Sequence, residues 1–158
     1  MSVFVTTSIR IDAPPALAWE VWRDLARWSE WTETINPAPP IPADPWRVGE
    51  TVYMRPKVGV PVRFTAKIVA VDPGREVAWE GRSAGVVGRH VFRFEADGAG
   101  TIFHHEQRFS GPGMPLFHLI GGARRAEGVF EAYNADLARE VGRVAATRDP
   151  AADGARGV

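Results

Sequence analysis

The residues best suited to chemistry lie in the segment TIFHHEQRFSG, at positions 101–111, where ionisable and amide side chains stand between apolar ones. Histidine is the side chain best matched to proton transfer near neutral pH, so His105 is a candidate general base. Gln107 and Tyr133 are candidate catalytic partners, because their side chains can hydrogen-bond to a substrate oxygen. His104 and His105 face opposite sides if the segment is a strand, and no third ligand with suitable spacing accompanies them. The sequence therefore predicts no metal site, and no cofactor motif is present.

Strands are predicted around that segment by the alternation of apolar and polar residues. Residues 3–11 have the pattern of a half-buried strand. The same two-residue period predicts five further strands, at about 51–56, 62–72, 76–82, 88–96 and 101–109. Turn residues at 72–76 and 96–100 predict that neighbouring strands pair antiparallel. A change of apolar parity near Ile68 predicts a β-bulge.

A helical region is predicted between the first two strands. Asp12 and the prolines after it are suited to a helix start, and residues 16–35 carry apolar side chains at helical spacing. We expect a break near Asp24 into two short helices, because one helix face cannot bury both Trp22 and Trp31.

The rest of the chain predicts a loop, a long helix and a tail. Prolines in residues 36–50 exclude a helix and a central strand, which predicts an ordered loop. Residues 115–146 predict a long amphipathic helix interrupted early by Gly121 and Gly122. Helices segregated from an antiparallel sheet define an α+β fold, here one domain over residues 1–147. Residues 148–158 have nothing to bury and are predicted to be disordered.

Composition narrows the partners. The 158 residues include 19 basic and 19 acidic ones, so the formal net charge is zero and nucleic acid is not an expected partner. No apolar stretch is long enough to span a bilayer, so no integral membrane association is expected. The chain has no cysteine, which excludes thiol catalysis and indicates a reducing compartment. We expect a cytoplasmic monomer or homodimer.

Four segments together resemble the START-like (SRPBCC) superfamily, and most of all its polyketide cyclase/dehydrase-like branch. They are SIRIDAPPALAWEVWRDLARWSEW, VDPGREVAWEG, HVFRFEADGAGTIFHHEQRFSG and VFEAYNADLAREV. The resemblance implies the helix-grip fold, in which a curved antiparallel sheet grips a long C-terminal helix and two short helices follow the first strand. Such a packing encloses a cavity. Because the superfamily includes carriers, receptors and enzymes, the fold leaves the chemistry open.

The resemblance also implies which residues face the cavity. Alternate positions of the last strand, from Thr101 onward, would point inward, which puts His105 and Gln107 on the wall. Trp46, in the proline-rich segment, could cover the entrance. The predicted ligand-binding residues are Trp28, Trp31, Phe64, Trp79, Gly81, His90, Phe92, Phe103, Phe109, Phe130, Asn134 and Leu137.

Three roles of His105 stay open at this stage. It could be a structural histidine bonded to a backbone carbonyl or to Asn134, a polar contact to a bound ligand, or a general base. A buried imidazole needs a partner in each case, because an unpaired buried polar group costs a few kcal/mol, on the order of 1–3.

Three functions stay open for the whole protein. The first is a carrier or sensor of a hydrophobic, aromatic or polycyclic small molecule. The second is a cyclase or dehydratase in which His105 moves a proton while Gln107 and Tyr133 hold substrate oxygens. The third is a protein-interaction module such as a chaperone activator, which would have a collapsed cavity and an exposed apolar patch.

Overall fold

The computed structural model describes residues 2–57 and 63–148. Seven strands of this part form one antiparallel sheet in the order β1-β7-β6-β5-β4-β3-β2, so the first and the last strands are neighbours. The strands are β1 Val3–Ile11, β2 Ile35–Ala38, β3 Thr51–Pro56, β4 Phe64–Asp72, β5 Glu76–Ser83, β6 Val86–Asp97 and β7 Gly100–Ser110. The sheet is curled, and the predicted antiparallel strands are confirmed.

The helices lie before β2 and after β7. They are α1 Pro15–Arg23, a short 3-10 turn Leu25–Arg27, α2 Trp28–Trp31, α3 Met114–Leu119 and α4 Gly122–Arg148. The predicted break at Asp24 is confirmed, because its ψ of 75° leaves the helical region. The break allows Trp22 on α1 and Trp31 on α2 both to be buried. Asp12 is not the helix cap that the sequence predicts; its carboxylate instead accepts a hydrogen bond from Arg10.

One further element differs from the sequence-based expectation. Residues 35–38 form a strand within the segment predicted to be helix and loop, and Pro37 is tolerated there because β2 is the edge of the sheet. The predicted early interruption of the C-terminal helix is confirmed: α3 ends at Leu119, and α4 begins after Gly121, whose φ is +68°. Of the tail predicted to be disordered, residues 148–158, Arg148 is the last residue of α4, and residues 149–158 lie outside the described residues.

The helices cover one face of the sheet. Helix α4 packs on β1 and α1, and a polar link fixes α2 to it: Asp136 accepts hydrogen bonds from the Thr32 hydroxyl at 3.0 Å and from the Glu33 N–H at 3.1 Å. The predicted bulge is confirmed, since the pairing of β4 with β5 shifts between Ile68 and Ala70. These features combine a curled antiparallel sheet, a long C-terminal helix and short helices after β1, which is the helix-grip arrangement.

Within residues 2–57 and 63–148, no helix is both long enough and apolar enough to cross a bilayer.

Candidate ligand cavity

Small residues pair across the inward face of the sheet, and two of them, Gly81 and Gly88, line a space that helix α3 also borders. Ala66 on β4 pairs with Gly81 on β5, and Gly81 pairs with Gly88 on β6; we call these three the small-residue row. The neighbouring register carries large side chains: Ile68 pairs with Trp79, and Trp79 pairs with His90. Because alternate residues of a strand share a face, the inward face has a row of large side chains beside a row of small residues.

The space is a cavity of about 410 Å³, within the size range of small-molecule sites. Its wall is mostly apolar and aromatic. Arg82, Ser83, Ala84, Leu116 and Ile120 are exposed and mark the rim. The other lining residues are Trp28, Thr34, Ile35, Pro56, Phe64, Trp79, Gly81, Val86, Gly88, His90, Phe92, His105, Gln107, Phe109, Gly113, Phe117, Val129, Phe130 and Tyr133.

His105 is buried and is held by a hydrogen-bonded cluster at the back of the cavity wall. Its Nδ1 lies 3.2 Å from Asn134 Oδ1, and Asn134 Nδ2 donates to Thr7 Oγ1 at 2.9 Å. Thr7 Oγ1 in turn donates to the backbone carbonyl of His105 at 3.3 Å. The structural role predicted for His105, a bond to Asn134, is therefore present.

His90 reaches the same cluster from β6. Its Nδ1 lies 3.4 Å from His105 Nε2, a long contact, and its ring packs against Phe92 and against Trp79. No described residue bonds the other ring nitrogen, Nε2. Two imidazoles therefore meet on the cavity wall.

Burial keeps both imidazoles neutral. It lowers the pKa of His105 from 6.5 to about 3, against the opposing effect of the hydrogen bond to Asn134. Burial also lowers the pKa of His90 well below 6.5, and repulsion from His105 adds to this shift. At neutral pH each ring then has one N–H donor and one acceptor nitrogen.

Gln107 extends the polar patch toward the small-residue row. It lies opposite His90 in the strand register, and its amide nitrogen packs directly over Gly88, where a Cβ would collide with it. Glycine at position 88 therefore makes room for the amide. No described residue bonds the Gln107 side chain, which leaves a donor and an acceptor at the wall.

Tyr133 lies on the cavity wall, and its side chain is buried. The ring packs against Trp28 and Trp31, and Oη is buried with no hydrogen-bond partner among the described residues. Burial raises the pKa of Tyr133 well above 10, with a smaller opposing effect from the Trp22 indole. Tyr133 lines the cavity, and the use of its hydroxyl on a substrate stays a prediction.

Most of the predicted site residues come together at the cavity, but a few do not. Within the described ranges, four predicted ligand-binding residues are absent from the wall: Trp31, Phe103, Asn134 and Leu137. All four are buried in the core behind it. The residues that are brought together are His105, Gln107, Tyr133, Trp28, Phe64, Trp79, Gly81, His90, Phe92, Phe109 and Phe130.

Trp46 does not cover the entrance, contrary to the suggestion from the sequence. Its ring centroid lies 4.5 Å from that of Trp22, and its Nε1 donates to the Arg23 carbonyl at 2.7 Å. The proline-rich segment thus sends this side chain into the core, where it fills space between the sheet and α1.

Sequence reasoning missed the side of the cavity formed by helix α3 and by the hairpin between β5 and β6. Leu116, Phe117 and Ile120 line it from α3 and the residue after it, and Ser83 and Ala84 line it from the hairpin. The available signal was the segment Leu116–Ile120, apolar except for His118, which follows a glycine-rich loop and has the composition of a core helix. Among the residues described, no group of three metal-ligating side chains occurs.

Comparison with known families identifies the class of protein. Residues 2–146 match the family described as polyketide cyclase / dehydrase and lipid transport, and the chain belongs to this family. A search of the curated proteins gave no match.

Solved structures show the same fold at low sequence identity. Norcoclaurine synthase from Thalictrum flavum has 14% identity and a TM-score of 0.67, over 89% of this chain and 87% of that chain. Protein CV1439 from Chromobacterium violaceum has 14% identity and a TM-score of 0.66, over 87% and 96%. DynU16, from the dynemicin biosynthetic locus, has 17% identity and a TM-score of 0.64, over 86% and 46%. These similarities establish the helix-grip fold and nothing about the ligand.

Proposed function

We propose that this protein binds a hydrophobic, aromatic or polycyclic small molecule in its internal cavity, as a carrier or sensor. The observation that carries the proposal is the cavity of about 410 Å³ with its aromatic wall. Flat rings can pack against Trp79, Phe92 and Phe130, and such contacts are worth about 0.5–1.5 kcal/mol each beyond the burial of area.

The relatives support an aromatic ligand. The family description joins cyclases and dehydrases with lipid transport. Norcoclaurine synthase, which has the same fold, is known in complex with dopamine and hydroxybenzaldehyde, both small aromatic compounds. A cytoplasmic location and a monomeric or homodimeric state remain predictions from the sequence.

A cyclase or dehydratase activity is the second candidate, favoured by the two imidazoles on the wall. In it, His105 or His90 would move a proton and Gln107 would hold a substrate oxygen. A general base works best with a pKa near the working pH, and a pKa of about 3 makes His105 a weak base at neutral pH. Binding therefore ranks above catalysis. A protein-interaction module ranks third, since it was expected to have a collapsed cavity and this cavity is not collapsed.

Tryptophan fluorescence tests the proposal. Titration with naphthalene or anthracene should give saturable quenching with one site per chain, because Trp28 and Trp79 line the cavity. Trp79→Phe should remove much of the quenching, whereas Trp46→Phe, a change in the filled core, should preserve it. Absence of one-site binding by either compound up to its solubility limit would refute the proposal.

A second measurement separates binding from catalysis. A poly-β-carbonyl thioester is incubated with and without the protein, and its conversion is followed by mass spectrometry. We expect the same rate of conversion in both samples. If the protein accelerates cyclisation or loss of water, and His105→Ala abolishes that acceleration, catalysis would replace binding as the first candidate function.

A further inference from the structure

We infer that the cavity recognises a neutral hydroxyl donor on its aromatic ligand, a phenol or an enol, through Nε2 of His90. The inference deepens the proposed function and rests on it. It depends on the direction of each hydrogen bond in the chain Thr7–Asn134–His105–His90, which the geometry fixes one step at a time.

The first step is the orientation of the Asn134 amide. Thr7 has one hydroxyl proton, and it is used on the carbonyl of His105, which can only accept. Thr7 Oγ1 must therefore accept from Asn134, so the atom beside it is the NH₂ group. The Asn134 oxygen consequently faces His105.

The second step is the tautomer of His105. An amide oxygen accepts only, so His105 Nδ1 carries the proton that it donates to Asn134. The ring is neutral, because burial lowers its pKa to about 3. Nε2 of His105 is therefore an acceptor.

The third step is the tautomer of His90. His90 Nδ1 lies 3.4 Å from the acceptor nitrogen of His105, so a proton on His90 Nδ1 turns a repulsion between lone pairs into a hydrogen bond. Since His90 is also neutral, its Nε2 is then left as an acceptor with no partner among the described residues. The hydrogen bond from Thr7 to the backbone carbonyl of His105 thereby determines, through Asn134 and His105, that Nε2 of His90 is an acceptor.

The surroundings of His90 select the ligand. Its ring packs between Trp79 and Phe130, with centroids 5.6 and 5.4 Å away, so the donor must belong to a molecule that fits among aromatic rings. A phenol or enol combines both features. A carboxylate would meet a lone pair at His90 and lose its hydration in an apolar wall, which is costly. Gln107, opposite His90, supplies a further donor and acceptor for a second ligand oxygen.

Ligand discrimination gives the first test. Calorimetric titration of the full chain with 2-naphthol should give about tenfold tighter binding than with 2-methoxynaphthalene, the value of one well-placed hydrogen bond. In His90→Phe this ratio should fall to about one, with naphthalene still bound. His104→Phe is the matched control, since His104 lies on the outer face of the sheet and contacts Glu95. It should keep the tenfold ratio.

The tautomers give a second test that needs no ligand. In ¹⁵N-histidine-labelled protein, His90 and His105 should both show a protonated Nδ1 and an unprotonated Nε2. Thr7→Val should loosen this pattern and reduce the naphthol preference, and Thr7→Ser should restore both, because serine keeps the hydroxyl. A merely structural Thr7 would affect stability alone.

The outcomes separate this inference from the proposed function. If naphthalene and both naphthyl compounds fail to bind, the proposed function is refuted. If all three bind with equal affinity, or if His90 carries its proton on Nε2, the proposed function stands and the hydroxyl inference is wrong. Tighter binding of 2-naphthoate than of 2-naphthol would also overturn the inference.

Discussion

The interior has two halves that share one face of the sheet and differ in what fills them. In the filled half, beneath α1 and α2, the Trp22 ring has its centroid 4.5 Å from that of Trp46 and 5.1 Å from that of Phe92. In the hollow half, beneath α3, Gly81 and Gly88 of the small-residue row face about 410 Å³ of space. Both halves are rich in aromatic side chains, so aromatic content alone does not make a pocket. The difference comes from the glycines on β5 and β6.

The largest expected effect comes from emptying the filled half. Trp22 is fully buried, so Trp22→Ala should lower the free energy of unfolding by about 3–5 kcal/mol, through lost burial and a new closed cavity. Phe64→Ala, in the hollow half, should cost less than half as much, because Phe64 is half-buried and already borders open space. Urea unfolding followed by circular dichroism measures both. Equal losses would contradict the division into two halves.

Acid sensitivity should come from the hollow half. His105 takes up a proton at about pH 6.5 when unfolded and only near pH 3 when folded. Unfolding therefore binds a proton between these values, and each pH unit below 6.5 should remove about 1.4 kcal/mol of stability for this histidine. The stability it contributes is complete above pH 6.5 and is lost as the pH falls toward 3.

The measurement is the slope of unfolding free energy between pH 6.5 and 5, a range above the ordinary pKa values of carboxylates. His105→Phe should reduce the slope and leave the part due to His90, whose pKa is also lowered. Parallel slopes for the wild type and His105→Phe would show that His105 is not buried as a neutral imidazole.

The comparison also shows which parts of the molecule a sequence can predict. The family resemblance indicates which face of β7 is inward, and the two-residue period of a strand then places His105 and Gln107 on that face. The break at Asp24 follows from the need to bury Trp22 and Trp31 together. Strand β2 escaped prediction, because prolines mask an edge strand whose outer side needs no donors.

The pairing of His90 with His105 lies beyond pattern reasoning. His90 is directly opposite Gln107 in the register, so its contact with His105 is diagonal and depends on side-chain rotamers and on the curl of the sheet. The cavity, too, could not be predicted from the sequence pattern. The row of Ala66, Gly81 and Gly88 is visible only once the register of three strands is known.

The smallest expected effect on stability comes from filling the hollow half. Gly81→Leu places its Cβ 3.2 Å from the edge of the Phe64 ring, a half-buried side chain that can shift by a few tenths of an ångström. The rest of the leucine enters the cavity. We expect unfolding free energy to change by less than about 1 kcal/mol, because the added burial offsets the small strain.

Naphthalene should bind at least about tenfold more weakly, because the leucine occupies the space for a ring. Gly128→Leu is the control: a Cβ there meets nothing, so affinity should not change. If Gly81→Leu bound naphthalene as the wild type does, the ligand would have to occupy some other part of the molecule, and the hollow half would be only a gap in the packing.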